Sequence, residues 1–117
     1  MEEKESNQWR LKHIIEAIEY IEEFTKGVDK QILINDYQLQ SALVRQVEII
    51  GEAAKHLSPE LIKKYPEVDW REATGMRNVL VHDYFAVNLD VLWDTIQKNI
   101  PVLKKQIKKI LEELWRH

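Results

Sequence analysis

An all-α bundle of four or five helices is what this sequence predicts, and three observations predict it. Only three glycines and three prolines interrupt 117 residues, so turns are scarce and helices long. Apolar residues recur at steps of three and four along most of the chain, the period of an amphipathic helix. No stretch shows the two-residue alternation of a strand. The length suits one domain over residues 1–117 and little more.

The first helix is expected over about Trp9 to Phe24. Leu11, Ile14, Ile15, Ile18 and Ile21 form its apolar face, and Glu16, Glu19, Glu22 and Glu23 its wet one. Lys26-Gly27 ends it, since glycine adopts the left-handed conformation of a helix terminus without penalty. QILIN, residues 31–35, reads as a short apolar connector. The second long helix starts near Asp36, a residue that caps helix N-termini, and runs to about Leu57. Its face of Leu39, Leu43, Val47, Ile50, Ala54 and Leu57 is widened by Ala42, Ile49 and Ala53, as in a central helix touched on several sides. Gly51 within it is costly for a helix and marks a close backbone approach. Ser58-Pro59-Glu60 begins a short helix, and Tyr65-Pro66 ends it. A fourth helix is expected over roughly Asp69 to His82. The last runs from near Asn88 to Leu114, with Pro101 kinking or splitting it. Its stripe of Leu89, Trp93, Ile96, Ile100, Leu103, Ile107, Ile110 and Leu114 alternates steps of four and three, a heptad-like seam. Such a stripe serves a dimer or the interior of its own bundle, and the pattern alone does not say whose surface it meets.

Composition narrows the function. There is no cysteine, which excludes a disulfide framework, a thiolate metal site and a cysteine nucleophile and fits a reducing, cytoplasmic setting. No segment approaches the apolar length of a membrane span, and the acidic start MEEKESNQ is not a secretory signal. The net charge of −3 makes a nucleic-acid binder no default guess, but the charge is uneven. Residues 98–117 set Lys98, Lys104, Lys105, Lys108, Lys109 and Arg116 against Glu112 and Glu113, a local excess of +4. A local patch, not the average, decides whether a phosphate backbone docks. Lys104, Lys105, Lys108 and Lys109 are therefore a candidate RNA-docking face, with a merely solvated helix face as the plainer reading.

The chemistry concentrates in MRNVLVHDYF, residues 76–85. Met76, Val79, Leu80 and Val81 look like core, yet Arg77, Asn78, His82, Asp83 and Tyr84 are threaded through them. Buried polar groups without partners cost free energy, so these side chains either reach solvent or converge on a site. On a helix Asn78 and His82 share a face. If the helix stops near His82, an extended exit sends His82 and Tyr84 to one side. Histidine moves protons near neutral pH, arginine presents a planar fork that fits a phosphate, and asparagine orients a ring or hydroxyl. Together they suit attack on an RNA phosphodiester by its own 2′-hydroxyl. That reaction needs base, acid and positive charge but no metal, because the nucleophile lies within the substrate. One such histidine per chain means that two imidazoles require two chains, hence a homodimer with both His82 and both Arg77 at one cleft. The structural alternative is plain: Arg77 paired with Asp83 or a nearby glutamate, His82 at a helix C-terminus, and Tyr84 in the core.

The string Arg77-Asn-Val-Leu-Val-His82-Asp-Tyr84 fits R-x4-H-x-Y, a chance match on the order of a few in a thousand for this length and typical residue usage. It resembles the motif of HEPN-domain ribonucleases, specifically the HepT-like toxins. The likeness extends to the early amphipathic helix, VEIIGEAAKHLS, YPEVDWREATGMRN and the closing helix, nearly the whole chain. The resemblance implies an all-α HEPN-like homodimer whose facing motifs form a composite ribonuclease site with no cofactor. Arg77 and His82 match the catalytic pair, and Asn78 the polar residue that often follows the arginine. It further implies a partner, an MntA-like minimal nucleotidyltransferase acting as antitoxin, which transfers AMP from ATP onto Tyr84. The RNA targets in the family include transfer RNA. The rival reading is a non-catalytic helical partner of such a nucleotidyltransferase.

Other features weigh less. Glu48, Glu52 and His56 stand at four-residue spacing, half of a bundle metal site, but a matching Glu-x-x-His step is missing. Glu52 reads better as a supporting contact that holds Arg77 or His82, with Asp83 as a second candidate, and no metal is expected. Trp9, Trp70, Trp93 and Trp115 read as core or interface anchors rather than base-stacking platforms. His13 and His117 carry no pattern of their own.

Overall fold

The first helix begins earlier than its apolar pattern, because the polar N-terminus is itself helical. In the computed structural model α1 spans Glu3–Phe24. Residues 2–77, 81–83 and 86–116 are described, with 81–83 and 86–87 as backbone alone. Gly27, at φ +69°, makes the left-handed turn that follows α1, a conformation that suits glycine. The connector expected at QILIN is instead a short helix, α2, Lys30–Asn35. Asp29 nucleates it by accepting a hydrogen bond from Ile32 N at 2.8 Å, and only Leu33 is buried. A single buried residue carries no periodicity, which is why the sequence pattern left it unassigned.

The central helix α3 spans Tyr37–Lys55, with Asp36 Oδ1 accepting from Leu39 N at 3.0 Å. Ser58 caps α4, Pro59–Lys64, through Leu61 N at 3.2 Å, and Asp69 caps α5, Trp70–Gly75, through Glu72 N at 2.9 Å. The expected extension of this fourth helix to His82 is corrected: α5 ends at Gly75, and Val81–Asp83 is a strand, β1. It pairs antiparallel with β2, Ala86–Val87, in the register Val81 with Val87 and Asp83 with Ala86. Glycine is a poor helix residue, and β-branched valines at the paired positions favour extended backbone. So short a pair leaves the class all-α, but it overturns the expectation of no strand.

The C-terminal helix stays continuous but changes to a π turn just before Pro101, where a kink or split was expected. α6, Leu89–Asp94, is capped by Asn88 at 3.1 Å from Val91 N. A five-residue π segment, Thr95–Asn99, follows, and then α7, Ile100–Trp115. Proline lacks an amide proton and crowds the carbonyl four residues back, here that of Gln97. The wider π turn absorbs this without breaking the rod.

α1 packs against α3 and α7, α3 against α5, and α2 against α3 and α6. Leu11, Ile14, Ile18 and Ile21 of α1 meet Leu43, Val47 and Ile50 of α3 and Ile107 and Ile110 of α7 in one core. From the heptad-like stripe, Ile96, Ile100, Leu103, Ile107 and Ile110 are all buried within the chain's own bundle. The middle of the stripe is thus spent on the fold, while Leu89, Trp93 and Leu114 are partly buried. Two polar ties fix the ends. Asn7 is buried and exchanges two 3.0 Å hydrogen bonds with Ser58, giving from Nδ2 to Oγ and accepting at Oδ1 from the amide. Tyr65 donates its hydroxyl to Glu113 Oε2 at 2.6 Å, and its carbonyl accepts from Trp70 Nε1 at 2.8 Å. No helix among the described residues is long and apolar enough to cross a membrane.

Candidate active site

The site is built from the α3–α5 contact. Trp70, Ala73 and Met76 bury one face of α5 and the turn after it, which fixes where the chain leaves the helix. Met76 N and Arg77 N close that turn on the carbonyls of Ala73 and Thr74 at 3.3 and 3.4 Å. Arg77 then lies flat on Gly51 of α3. A Cβ at Gly51 would collide with the Arg77 amide nitrogen and stand 2.8 Å from Arg77 Cβ and 3.0 Å from Cα. Only glycine admits this approach. The close packing expected at Gly51 is therefore the seat of the motif arginine.

The guanidinium is held more loosely than the backbone. Arg77 Nη1 donates to Glu52 Oε2 at 3.3 Å, a single long contact, and the arginine side chain is 32% exposed. The other carboxylate oxygen of Glu52 faces His56 Nε2, also at 3.3 Å. The His56 hydrogen bond, helped by the charges of Arg77 and Lys55, holds the Glu52 carboxyl below the usual carboxylate range despite some desolvation. Ion pairs this exposed hold little energy, so a phosphate able to take the guanidinium through two hydrogen bonds competes well with Glu52. The arrangement stores a cation at a fixed place and leaves it exchangeable.

The remaining sequence candidates divide as follows. Asn78 and Tyr84 lie outside the described residues. His82 and Asp83 are described as backbone only, in β1, so the helical relation expected between Asn78 and His82 does not hold. Glu52 contacts Arg77. His56, singled out above only as a metal candidate, completes the Arg77–Glu52–His56 line. The i, i+4 spacing of Glu52 and His56 signalled their contact, but nothing in the sequence signalled that Arg77 would join them. Among the described residues no group of three or more histidine, aspartate and glutamate side chains is placed to hold a metal.

The lysine cluster is not one surface. Lys104 Nζ bridges both carboxylate oxygens of Glu22 on α1, at 2.8 and 2.9 Å, and is 25% exposed. It ties α7 to α1, while Lys105, Lys108 and Lys109 face solvent. The tryptophans also divide. Trp70 is core, whereas Trp9 and Trp115 are 49% and 67% exposed.

Fold and site thus define a small helical protein that presents a lightly held arginine beside a carboxylate and a histidine, with the motif histidine on a strand a few residues further along the chain. Residues 14–110 match the family described as "Ribonuclease HepT-like". The chain belongs to this family of HepT-like ribonucleases. It is 45% identical over 103 residues to "Putative RNase TTE0752" of Caldanaerobacter subterraneus, covering 88% of this chain and 92% of that one. It is 42% identical over 107 residues to "Probable ribonuclease HepT" of Thermococcus cleftensis, covering 92% and 97%. A longer protein of Methanocaldococcus jannaschii, "Gamma-glutamylcyclotransferase and putative RNase MJ0434", is 45% identical over 104 residues, covering 89% of this chain but 47% of its own length. No solved structure matches the chain.

Proposed function

We propose that the protein is a metal-independent endoribonuclease acting as a homodimer, the toxin of a toxin–antitoxin pair. The observation that carries this reading is Arg77, pinned at its backbone by Gly51 yet lightly held at its guanidinium. A structural arginine would be tied down at its charge. Arg77 is positioned like a phosphate-binding group awaiting its ligand.

In this mechanism the RNA 2′-hydroxyl attacks the adjacent phosphorus. One His82 takes its proton, and a new 2′-O–P bond forms as the P–O5′ bond breaks. The partner subunit's His82 donates a proton to the departing 5′-oxygen. Arg77 stabilises the charge on the crowded phosphate, and Asn78 orients the hydroxyl or the imidazole. The products are a 2′,3′-cyclic phosphate and a 5′-hydroxyl. Transfer RNA is the substrate class that the family suggests. An MntA-like nucleotidyltransferase would act as antitoxin by transferring AMP to Tyr84. The modification adds bulk and a phosphate charge two residues from His82, so it would fill the cleft and compete for Arg77. Family membership and the motif spacing support this regulation.

The test is incubation of the purified protein, unmodified at Tyr84, with total RNA in EDTA, beside His82→Ala. Wild-type cleavage that leaves 2′,3′-cyclic phosphate ends, reduced at least about 100-fold in the variant, is expected. Cellular toxicity that persists in His82→Ala would replace this reading with that of a non-catalytic partner of the nucleotidyltransferase.

A further inference from the structure

Beside the Arg77–Glu52 pair, α1 and α3 flank a groove of about 310 Å³ whose walls carry two arginines and a histidine. Trp9, Arg10 and His13 line it from α1, and Arg45 and Ile49 from α3, with Glu52 at one end. Neither Arg10 nor Arg45 forms an ion pair among the described residues. Arg10 Nε is buried without a hydrogen-bond partner, and an unpartnered buried donor is unusual enough to point to a ligand. Its guanidinium lies 5.5 Å from the Trp9 ring centroid. The Trp9 and His13 rings stand 4.2 Å apart, tilted by 38°, and the indole is half exposed. The one acidic group, Glu52, is engaged by Arg77 and His56.

We infer that this groove is a subsite for the single-stranded RNA that flanks the scissile phosphate, with Arg45 and Arg10 on phosphates and a base stacked on Trp9. The inference rests on the ribonuclease reading above. Aromatic faces take bases of any sequence while cations follow the backbone, which is how single strands are held. The groove is continuous with the site through Glu52. Arg45 lies seven residues before Glu52 on α3, about 10 Å along the helix, within reach of the neighbouring nucleotides. RNA is the occupant that the lining favours, because it offers a phosphate to each arginine and a base to Trp9 in regular alternation; a second copy of the chain would be seen as a change of oligomeric state.

The experiment uses fluorescence anisotropy with a labelled single-stranded RNA of about a dozen nucleotides, in a His82→Ala background that prevents cleavage. Arg45→Gln and Trp9→Ala are compared with that parent across a salt series, and RNA cleavage is measured with His82 intact. Arg45→Gln is expected to weaken binding at low salt and reduce the salt slope by about 0.7, the loss of one phosphate contact to a single strand. Trp9→Ala is expected to weaken binding roughly tenfold with the slope unchanged, as for loss of a stacked base. Unaltered binding and cleavage in both variants would overturn the subsite and leave the ribonuclease reading standing. Weakened binding that coincides with a change of dimer to monomer would overturn it in favour of an interface between copies. If the parent fails to bind and the wild type fails to cleave, the ribonuclease reading falls and the subsite with it.

Discussion

Arg77 shows how one side chain is made ready by what lies under it. Gly51 costs α3 about 1 kcal/mol of helix propensity relative to alanine, so on local grounds Gly51→Ala should stabilise the protein. The contact with Arg77 reverses that sign. The added methyl would have to displace backbone at Arg77, and forced overpacking of this kind costs about 1–3 kcal/mol. Gly51→Ala is therefore expected to lower the melting temperature and to reduce RNA cleavage at least tenfold, with the far-UV circular dichroism spectrum unchanged. A rise in melting temperature with full activity would show that Arg77 does not need this seat. The glycine was legible in the sequence as an anomaly within a helix, but its partner was not, because residues 51 and 77 meet only through the α3–α5 packing.

The elements are tied to one another by a few polar contacts, and each makes its own prediction. Asn7 satisfies both the amide and the hydroxyl of Ser58, and so holds the start of α1 to the cap of α4. Asn7→Ala leaves those part-buried groups with fewer partners, at a cost of about 1–3 kcal/mol, measurable by chemical denaturation. Tyr65 ties the end of α4 to α7. Burial first, then the hydrogen bond and negative charge of Glu113, push its phenol from 10.0 up to about 12. The folded state thus holds the proton more tightly than the unfolded chain does, and the resulting stability is fully present below pH 10 and lost as pH rises from 10 towards 12. Tyr65→Phe is expected to be about 1 kcal/mol less stable at neutral pH and to lose less stability over that alkaline interval than the wild type. Parallel pH profiles for the two proteins would refute the assignment. The caps at Asp36 and Ser58 fell where the sequence put them, and the helices expected to begin near Asp69 and Asn88 are capped by those residues, because a capping side chain bonds to a backbone amide three residues away and needs no distant partner.

At the scale of the whole molecule the open matter is how two chains would share one site. The middle of the heptad-like stripe, Ile96 to Ile110, is buried within the chain, so it is not free to form the seam of a homodimer. If cleavage needs two His82 side chains, one from each subunit, then mixing wild type with His82→Ala and allowing subunits to exchange should reduce activity as the square of the wild-type fraction. A linear fall would mean that each chain cleaves alone. The mixing curve separates the composite site from a monomeric one whatever the position of the interface.

Periodicity and composition by themselves determined the all-α class, the positions of the long helices, the irregularity before Pro101 and the absence of thiol chemistry. These depend on contacts within a few residues or on what the chain lacks. The motif Arg77 to Tyr84 was legible as well, because its residue types and spacing are chemically unusual in an apolar run. Tertiary structure decided what surrounds it. It ended α5 at Gly75 and made Val81–Asp83 extended, removing the helical face on which Asn78 and His82 were expected to meet. It gave Lys104 to Glu22, turned the heptad stripe inward, and set Trp9 on the rim of a cationic groove. The last three outcomes are not local. Each depends on which residues a distant helix brings within a few ångströms, and a periodic pattern can mark a face without naming the surface that will cover it.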